Sequence, residues 1–238
     1  MPSSSRLKPI LILAGGKGTR LAAVNPDRPK PMIPVADHPF LYYIFKHYAE
    51  QGFSEFIVST GHMAGVIEGY PWNQALPGLN IRFQRESKPL GTGGAVAEIF
   101  SREADLDACW VVNGDTLVTA PIPADPTALE AAMLALPQDC APDAVPNLTT
   151  DGKKVISAGT SPLGTIGDPT FDSGIAYITR AAVSRNHRQP PYAFHELLEP
   201  SIHAGMVACL QQRGLCYDIG TPERLVRFER FISERGPS

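Results

Sequence analysis

The chain has 238 residues, of which 43% are hydrophobic and 19% charged, the make-up of a globular protein with a substantial core. A net charge of −3 speaks against a nucleic-acid-binding surface, and no apolar run of about eighteen residues is present to cross a membrane. The polar stretch 1–8 and the short apolar run behind it lack the order of a secretory signal, so the cytoplasm is the expected compartment.

The first element is the apolar run Ile10–Ala14, β-branched and closed by glycines, which reads as a buried strand. Gly15, Gly16 and Gly18 let the backbone turn tightly and approach a ligand, and the N–H groups of such a turn suit phosphate oxygens. Lys17, Arg20 and Lys30 add cations close by. The spacing is neither a Walker A loop, because Gly18 separates Lys17 from Thr19, nor the dinucleotide fingerprint, because Leu21 follows Arg20 where Gly or Ala belongs. A glycine turn with solvated cations would read equally well up to this point. Pro29-Lys30-Pro31 shifts the balance, since a proline on either side stiffens the backbone that aims Lys30.

Asp37 or His38 is the expected cap of a helix reaching Gln51, with Leu41, Ile44, Phe45 and Tyr48 on its apolar face and Gly52 ending it. A strand at 56–58, a short helix within 62–70 and a strand at 79–84 follow. This alternation implies a mostly parallel sheet with helices on both faces, an α/β fold that binds ligands at the carboxyl ends of its strands. A second glycine loop, 86–95, leads into a helix over 95–103. Its glycines could let a flat base pack on the backbone or could simply relieve crowding at a helix start. Gln84 and Glu86 are candidate readers of the base edge, and Glu86 could accept from guanine N1–H and the N2 amine or could bond backbone. The apolar strand 109–112 ends in Asn113-Gly114-Asp115. An aspartate there can hold Mg²⁺ or form a turn.

The second half is rich in proline and less legible. Asp125-Pro126 predicts a cap and a helix over 127–136, and Asp151-Gly152 predicts a hairpin between 145–148 and 155–158, with Lys153 and Lys154 solvated at its turn. The run 171–177 reads as a strand, 194–200 as a helix, and Asp218 precedes a helix capped by Thr221 with Pro222 at its first position. Cys109, Cys140, Cys209 and Cys216 have no Cys-x-x-Cys spacing and read as free thiols, and no His-x-x-x-His pair suggests zinc.

The run from Leu13 through Ala14, Gly15, Gly16, Lys17, Gly18, Thr19 and Arg20 to Leu21, followed by Pro29-Lys30-Pro31, resembles the signature of the sugar-1-phosphate nucleotidyltransferases. With Pro89-Leu90-Gly91-Thr92-Gly93-Gly94 and Asn113-Gly114-Asp115-Thr116, the chain looks most like the D-glycero-α-D-manno-heptose 1-phosphate guanylyltransferases within that family. The likeness is best over 10–120. It implies a Rossmann-like nucleotide-diphospho-sugar transferase fold in one domain, 1–238, with a nucleotide-binding half at about 7–120 and a sugar-binding half at about 121–238. The implied reaction transfers a nucleoside monophosphate from a triphosphate, GTP favoured, to a sugar 1-phosphate with loss of pyrophosphate. Arg20, Lys30 and Asp115 are the implied catalytic residues, and Mg²⁺ is held by Asp115 and Asp218. The residues from Leu13 to Thr19 with Gln84, Glu86, Gly91, Thr92 and Gly93 are implied in nucleotide binding. Asn113, Asp172, Ser173, Gly174 and Glu196 are implied on the sugar side. The Glu-Lys pair that many family members carry near 158–161 is replaced here by Ala158-Gly159-Thr160-Ser161. No acyltransferase-like repeat follows, so a bifunctional form is not expected. A mannose-1-phosphate guanylyltransferase, a uridylyltransferase and a non-catalytic nucleotide-sensing module are the competing expectations, and monomer and homodimer are both left open.

Overall fold

The computed structural model describes residues 7–16, 27–124, 126, 129–140, 145–159 and 167–235. Strand Ile10–Ala14 (β1) lies at the centre of a nine-stranded sheet, hydrogen-bonded in parallel to Glu55–Thr60 (β4) on one side and Ala108–Asn113 (β6) on the other. Asn80–Arg85 (β5) continues the parallel set beyond β4. β1 is buried on both faces, which is why it reads as an unbroken apolar run rather than an alternating one. Ile10 and Ile12 face a core with helix Phe40–Glu50 (α1), while Leu11 faces the opposite core with helix Gly91–Arg102 (α4).

The start of α1 differs from expectation. Pro34–Val35 (β2) and His38–Pro39 (β3) form a small hairpin through Ala36, whose φ is 47°, and Pro39 takes the N-cap position. Asp37 lies in the turn and His38 in β3, so neither is the cap. The apolar face is as expected, with Leu41, Ile44, Phe45 and Tyr48 all 0% exposed. Short helices Ala64–Glu68 (α2) and Trp72–Ala75 (α3) connect β4 to β5.

The helix expected over 127–136 is not there. Ala131–Leu136 (β8) is a strand buried along its whole length, between Asp168–Thr179 (β11) and Val207–Gln211 (β12). Its Ala, Met and Leu residues favour helix in isolation. Ladders on both edges satisfy its backbone, and that tertiary pairing outweighs the local preference. Asp125, Thr127 and Ala128 lie outside the described residues.

β11 joins the two parts of the sheet, running antiparallel to both β6 and β8. Its register against β8 shifts between Asp172 and Ala176, a bulge that contains Gly174 at φ 78°. Leu148–Thr150 (β9) and Val155–Ala158 (β10) form the expected hairpin, and Asp151 Oδ1 accepts from the backbone N–H of Lys153 and Lys154. Thr116–Val118 (β7) pairs with Cys216–Asp218 (β13) beside the main sheet. Helices Arg180–Arg185 (α5), Phe194–His203 (α6) and Pro222–Glu234 (α7) complete the elements, and Thr221 caps α7 as expected, its hydroxyl accepting from Arg224 N. No helix among the described residues is long and apolar enough to cross a membrane. Cys109 and Cys209 are buried free thiols, and Cys140 and Cys216 are free and partly buried.

Candidate active site

A cavity of about 690 Å³ opens at the carboxyl ends of β1, β4, β5 and β6. Its walls include Leu13, Ala14, Gly15 and Gly16 at the end of β1, Gly61 and His62 after β4, residues 86–92 between β5 and the first turn of α4, and Asn113 and Asp115 at the end of β6. Lys30 and Pro31 close it from the preceding turn. Strand ends leave N–H groups and short loops free for a ligand, which is the general location of binding sites on open α/β sheets.

Lys30 starts a single 3₁₀ turn, Lys30–Met32, that Met32 N closes onto Pro29 O at 2.8 Å. Pro31 and Met32 are buried and anchor the turn, so the lysine stem leaves a fixed base. Lys30 Nζ lies 3.1 Å from Asp115 Oδ2, with side-chain exposures of 16% and 39%. The pair is therefore accessible from the cavity, and a phosphate can replace the carboxylate as partner of the ammonium. Asp115 is held by the turn after β6. Gly114 N donates to Leu13 O at 2.9 Å, and a Cβ on Gly114 would lie 2.8 Å from that oxygen, so only glycine lets this turn rest on β1.

Gly15 has a specific neighbour. A Cβ there would lie 2.5 Å from Glu86 Oε1. The Glu86 carboxylate accepts from Ser59 Oγ at 3.1 Å and from Leu90 N at 3.3 Å. Burial pushes its carboxyl above the ordinary range, against those two bonds. An ionised carboxylate offers roughly four acceptor positions, so two remain. Gln84 lies away from the cavity: its amide donates to Glu103 Oε1 at 2.8 Å, and its oxygen faces Arg102. A period-two strand puts Gln84 and Glu86 on the same side, but the long side chains of α4 capture Gln84 first.

The glycines of the second loop serve the chain itself. A Cβ on Gly91 would collide with Tyr192 O, and one on Gly93 would meet Ala193 O and approach the Tyr192 ring to 2.6 Å. A Cβ on Gly94 would press on Leu90 and Pro190 at 3.1 Å. Gly91 and Thr92 reach the cavity edge, whereas Gly93 is buried under Tyr192.

On the expected sugar side, Asn113 lines the cavity and its Nδ2 occupies the space a Gly174 Cβ would need, at 2.6 Å. Asp172 Oδ1 accepts from Gly174 N at 2.9 Å, and Asp172 N donates to Asn147 Oδ1 at 2.9 Å. Burial pushes the Asp172 carboxyl up to about 6, with the Gly174 N–H and the His195 charge opposing. Ser173 is turned into the fold, 2% exposed, its Oγ accepting from Ile175 N. Glu196 folds back onto its own helix start, accepting from Ala193 N at 2.7 Å.

The β7–β13 ladder brings the Asp218 segment to Asp115: Asp218 pairs with Thr116, and Ile219 N donates to Asp115 O at 3.2 Å. The Asp218 carboxylate itself is held by Arg224, whose Nη1 lies 2.9 and 2.7 Å from its two oxygens. No group of three His, Cys, Asp or Glu suited to a metal occurs among the described residues. Asp115 lines the cavity and Asp218 is brought next to its strand, which suits Mg²⁺, an ion that takes few protein ligands and keeps waters or phosphate oxygens. Lys17, Gly18, Thr19 and Arg20 lie outside the described residues.

His62 and Lys88 also line the cavity and were not anticipated. Both signals were present in the sequence, since His62 follows the end of a strand and Lys88 sits inside the second glycine loop.

Residues 9–133 match the model of the nucleotidyl transferase family. The chain is 42% identical over 107 residues to a D-glycero-α-D-manno-heptose 1-phosphate guanylyltransferase of Aneurinibacillus thermoaerophilus, covering 45% of this chain and 46% of that one. It is 42% identical over 106 residues to the enzyme of the same name from Campylobacter jejuni, covering 44% and 47%. The chain thus spans about half the length of the curated relatives it matches. A solved structure of HddC from Yersinia pseudotuberculosis superposes with a TM-score of 0.75 at 23% identity, over 95% of this chain and 100% of that one, a likeness of fold. By its match over more than half its length, the chain belongs to the nucleotidyl transferase family, with the nucleotide-diphospho-sugar transferase fold.

Proposed function

We propose that this chain transfers a nucleoside monophosphate from a nucleoside triphosphate to a sugar 1-phosphate, releasing pyrophosphate, with GTP as donor and D-glycero-D-manno-heptose 1-phosphate as acceptor. The observation that carries the reading is Lys30 Nζ held 3.1 Å from Asp115 in a cavity walled by glycine loops at the strand ends. The guanylyltransferase names of the relatives at 42% identity support the choice of base and sugar.

A sugar phosphate oxygen is already an anion at neutral pH, so its in-line attack on the α-phosphorus needs no general base. What remains is positioning and charge neutralisation. Lys30 is a cation of the cavity wall, paired with Asp115, and we assign it to the phosphates that react. Arg20, from the sequence alone, is assigned to the leaving pyrophosphate. Asp115 would hold Mg²⁺, with Asp218 as second ligand once it exchanges Arg224 for the ion. When bound, Mg²⁺ supplies positive charge to the phosphate oxygens. Glu86, with two acceptor positions left, is assigned to the guanine N1–H and N2 amine. We read the chain as one unit, with its nucleotide half at about 7–120 and its sugar half at about 121–238, and the sheet that runs through both halves supports this. We place this chemistry in the cytoplasm, where nucleoside triphosphates are supplied.

The test is pyrophosphate release with Mg²⁺ across GTP, UTP, CTP, ATP and dTTP, each offered mannose, glucose and manno-heptose 1-phosphates. Release with GTP and the heptose phosphate alone is expected. Release with another pair would keep the chemistry and discard the subclass, and nucleotide binding without release would favour a sensing module.

A further inference from the structure

The second glycine loop is tied to the start of α6 by four bonds that cross from one half of the sequence to the other. Tyr192 N donates to Leu90 O at 3.1 Å, and Tyr192 O accepts from Gly93 N at 3.0 Å and Gly94 N at 3.4 Å. The fourth is a side-chain bond: Phe194 N donates to Thr92 Oγ1 at 2.9 Å. Phe194 is the first residue of α6, and the opening N–H groups of a helix have no partner within it. Ala193, at the N-cap position, has no side chain able to accept. Thr92 therefore performs the capping role from 102 residues away. The same residue lines the cavity.

The first turn of α6 carries His195. A Cβ on Gly159 would stand 2.9 Å from His195 Cδ2, so the ring lies close to Gly159, and its charge acts on Asp172. The orientation of that turn thus governs the surroundings of Asp172, the residue that the family likeness assigns to the sugar side. We propose that Thr92 is a positioning residue that couples nucleotide occupancy of the cavity to the geometry of the sugar-phosphate side, through its bond to the first amide of α6. A nucleotide that contacts Thr92 in the first turn of α4 fixes the capping hydroxyl, and with it the helix turn that bears His195. The functional half of this inference rests on the transfer reading above.

Two measurements on wild type, Thr92→Val and Thr92→Ser test it. The first is hydrogen–deuterium exchange over 190–197, with and without each of the five nucleoside triphosphates and Mg²⁺. The triphosphate that binds is expected to slow exchange there in wild type and Thr92→Ser. Thr92→Val should exchange roughly fivefold faster at rest and lose the nucleotide effect, the size expected for a lost cap. The second is steady-state kinetics: Thr92→Val should raise the sugar-phosphate KM several-fold more than the nucleotide KM, and Thr92→Ser should restore both. Nucleotide protection that survives in Thr92→Val, or equal changes in the two KM values, would overturn the coupling. If wild type releases no pyrophosphate, the transfer reading falls, and the exchange experiment alone still decides whether Thr92 links cavity and helix.

Discussion

Glu86 is half-buried against Gly15 with two of its acceptor positions already filled, by Ser59 and by Leu90 N. If its other positions meet guanine, Glu86→Gln should lose the preference for GTP, because an amide presents one acceptor and a repelling N–H₂ where a carboxylate presents two acceptors. The expected loss is about tenfold or more in kcat/KM for GTP, from an unmatched hydrogen bond to a charged group. Protonation does the same, and burial raises this carboxyl, so GTP turnover should fall at a higher pH than an ordinary glutamate would dictate. Kinetics with GTP and UTP across pH check both statements. Asp172 makes a separate prediction about stability. Its carboxyl is raised from 3.8 to about 6 by burial, so the folded state prefers the neutral form and ionisation costs stability as pH rises through that window. Asp172→Asn keeps an acceptor for Gly174 N and should stabilise the fold by about 2 kcal/mol above pH 7. The gain should vanish as pH falls toward 3.8, which urea titrations at several pH values would reveal. Of the residues that wall the cavity, Lys30 was legible because prolines on both sides stiffen its backbone, and Asp115 because it follows the end of an apolar strand and matches the family's motif. The fates of Gln84, Ser173, Glu196 and Asp218 were not, because each depends on a partner remote in sequence or on a local backbone bond that motif spacing leaves undetermined.

Among the elements, α4 begins in the glycine loop and ends on Arg180. That guanidinium donates to the carbonyls of Phe100, Glu103, Ala104 and Leu106 at 2.6 to 3.0 Å and lies over the Phe100 ring. It satisfies the end of the helix that no residue of the helix itself can. Arg180→Met should therefore destabilise the protein by about 3 kcal/mol in urea unfolding, since charged hydrogen bonds are lost and carbonyls are left unpaired. Gly93→Ala, at the other end of the same helix, should cost about 1–3 kcal/mol by overpacking against Tyr192 and Ala193, despite the better helix propensity of alanine. The sequence does not reveal this second use of the glycines: Gly91, Gly93 and Gly94 leave room for the 190–194 segment, and Gly91 also reaches the cavity edge. The missed strand at 131–136 has the same origin. Its residues carry helix preference, and only the ladders to β11 and β12 make it a strand.

Across the whole molecule, strand–helix alternation was readable from 10 to 113 because β1, β4 and β6 carry short apolar runs and β5 alternates. The later half mixes antiparallel strands, a bulge and the β7–β13 pair, where long-range pairing decides and local pattern does not. That topology nevertheless delivers Asp115, Lys30 and the two glycine loops to one cavity. The most direct test of the account is pyrophosphate release from GTP and manno-heptose 1-phosphate with Mg²⁺, compared between wild type and Lys30→Ala. The account predicts one pyrophosphate per nucleotide sugar formed, and turnover reduced about a hundredfold or more in Lys30→Ala, the scale of losing one charged contact in the transition state. Turnover in Lys30→Ala near that of wild type, or no pyrophosphate from wild type with any triphosphate and sugar phosphate, would contradict it.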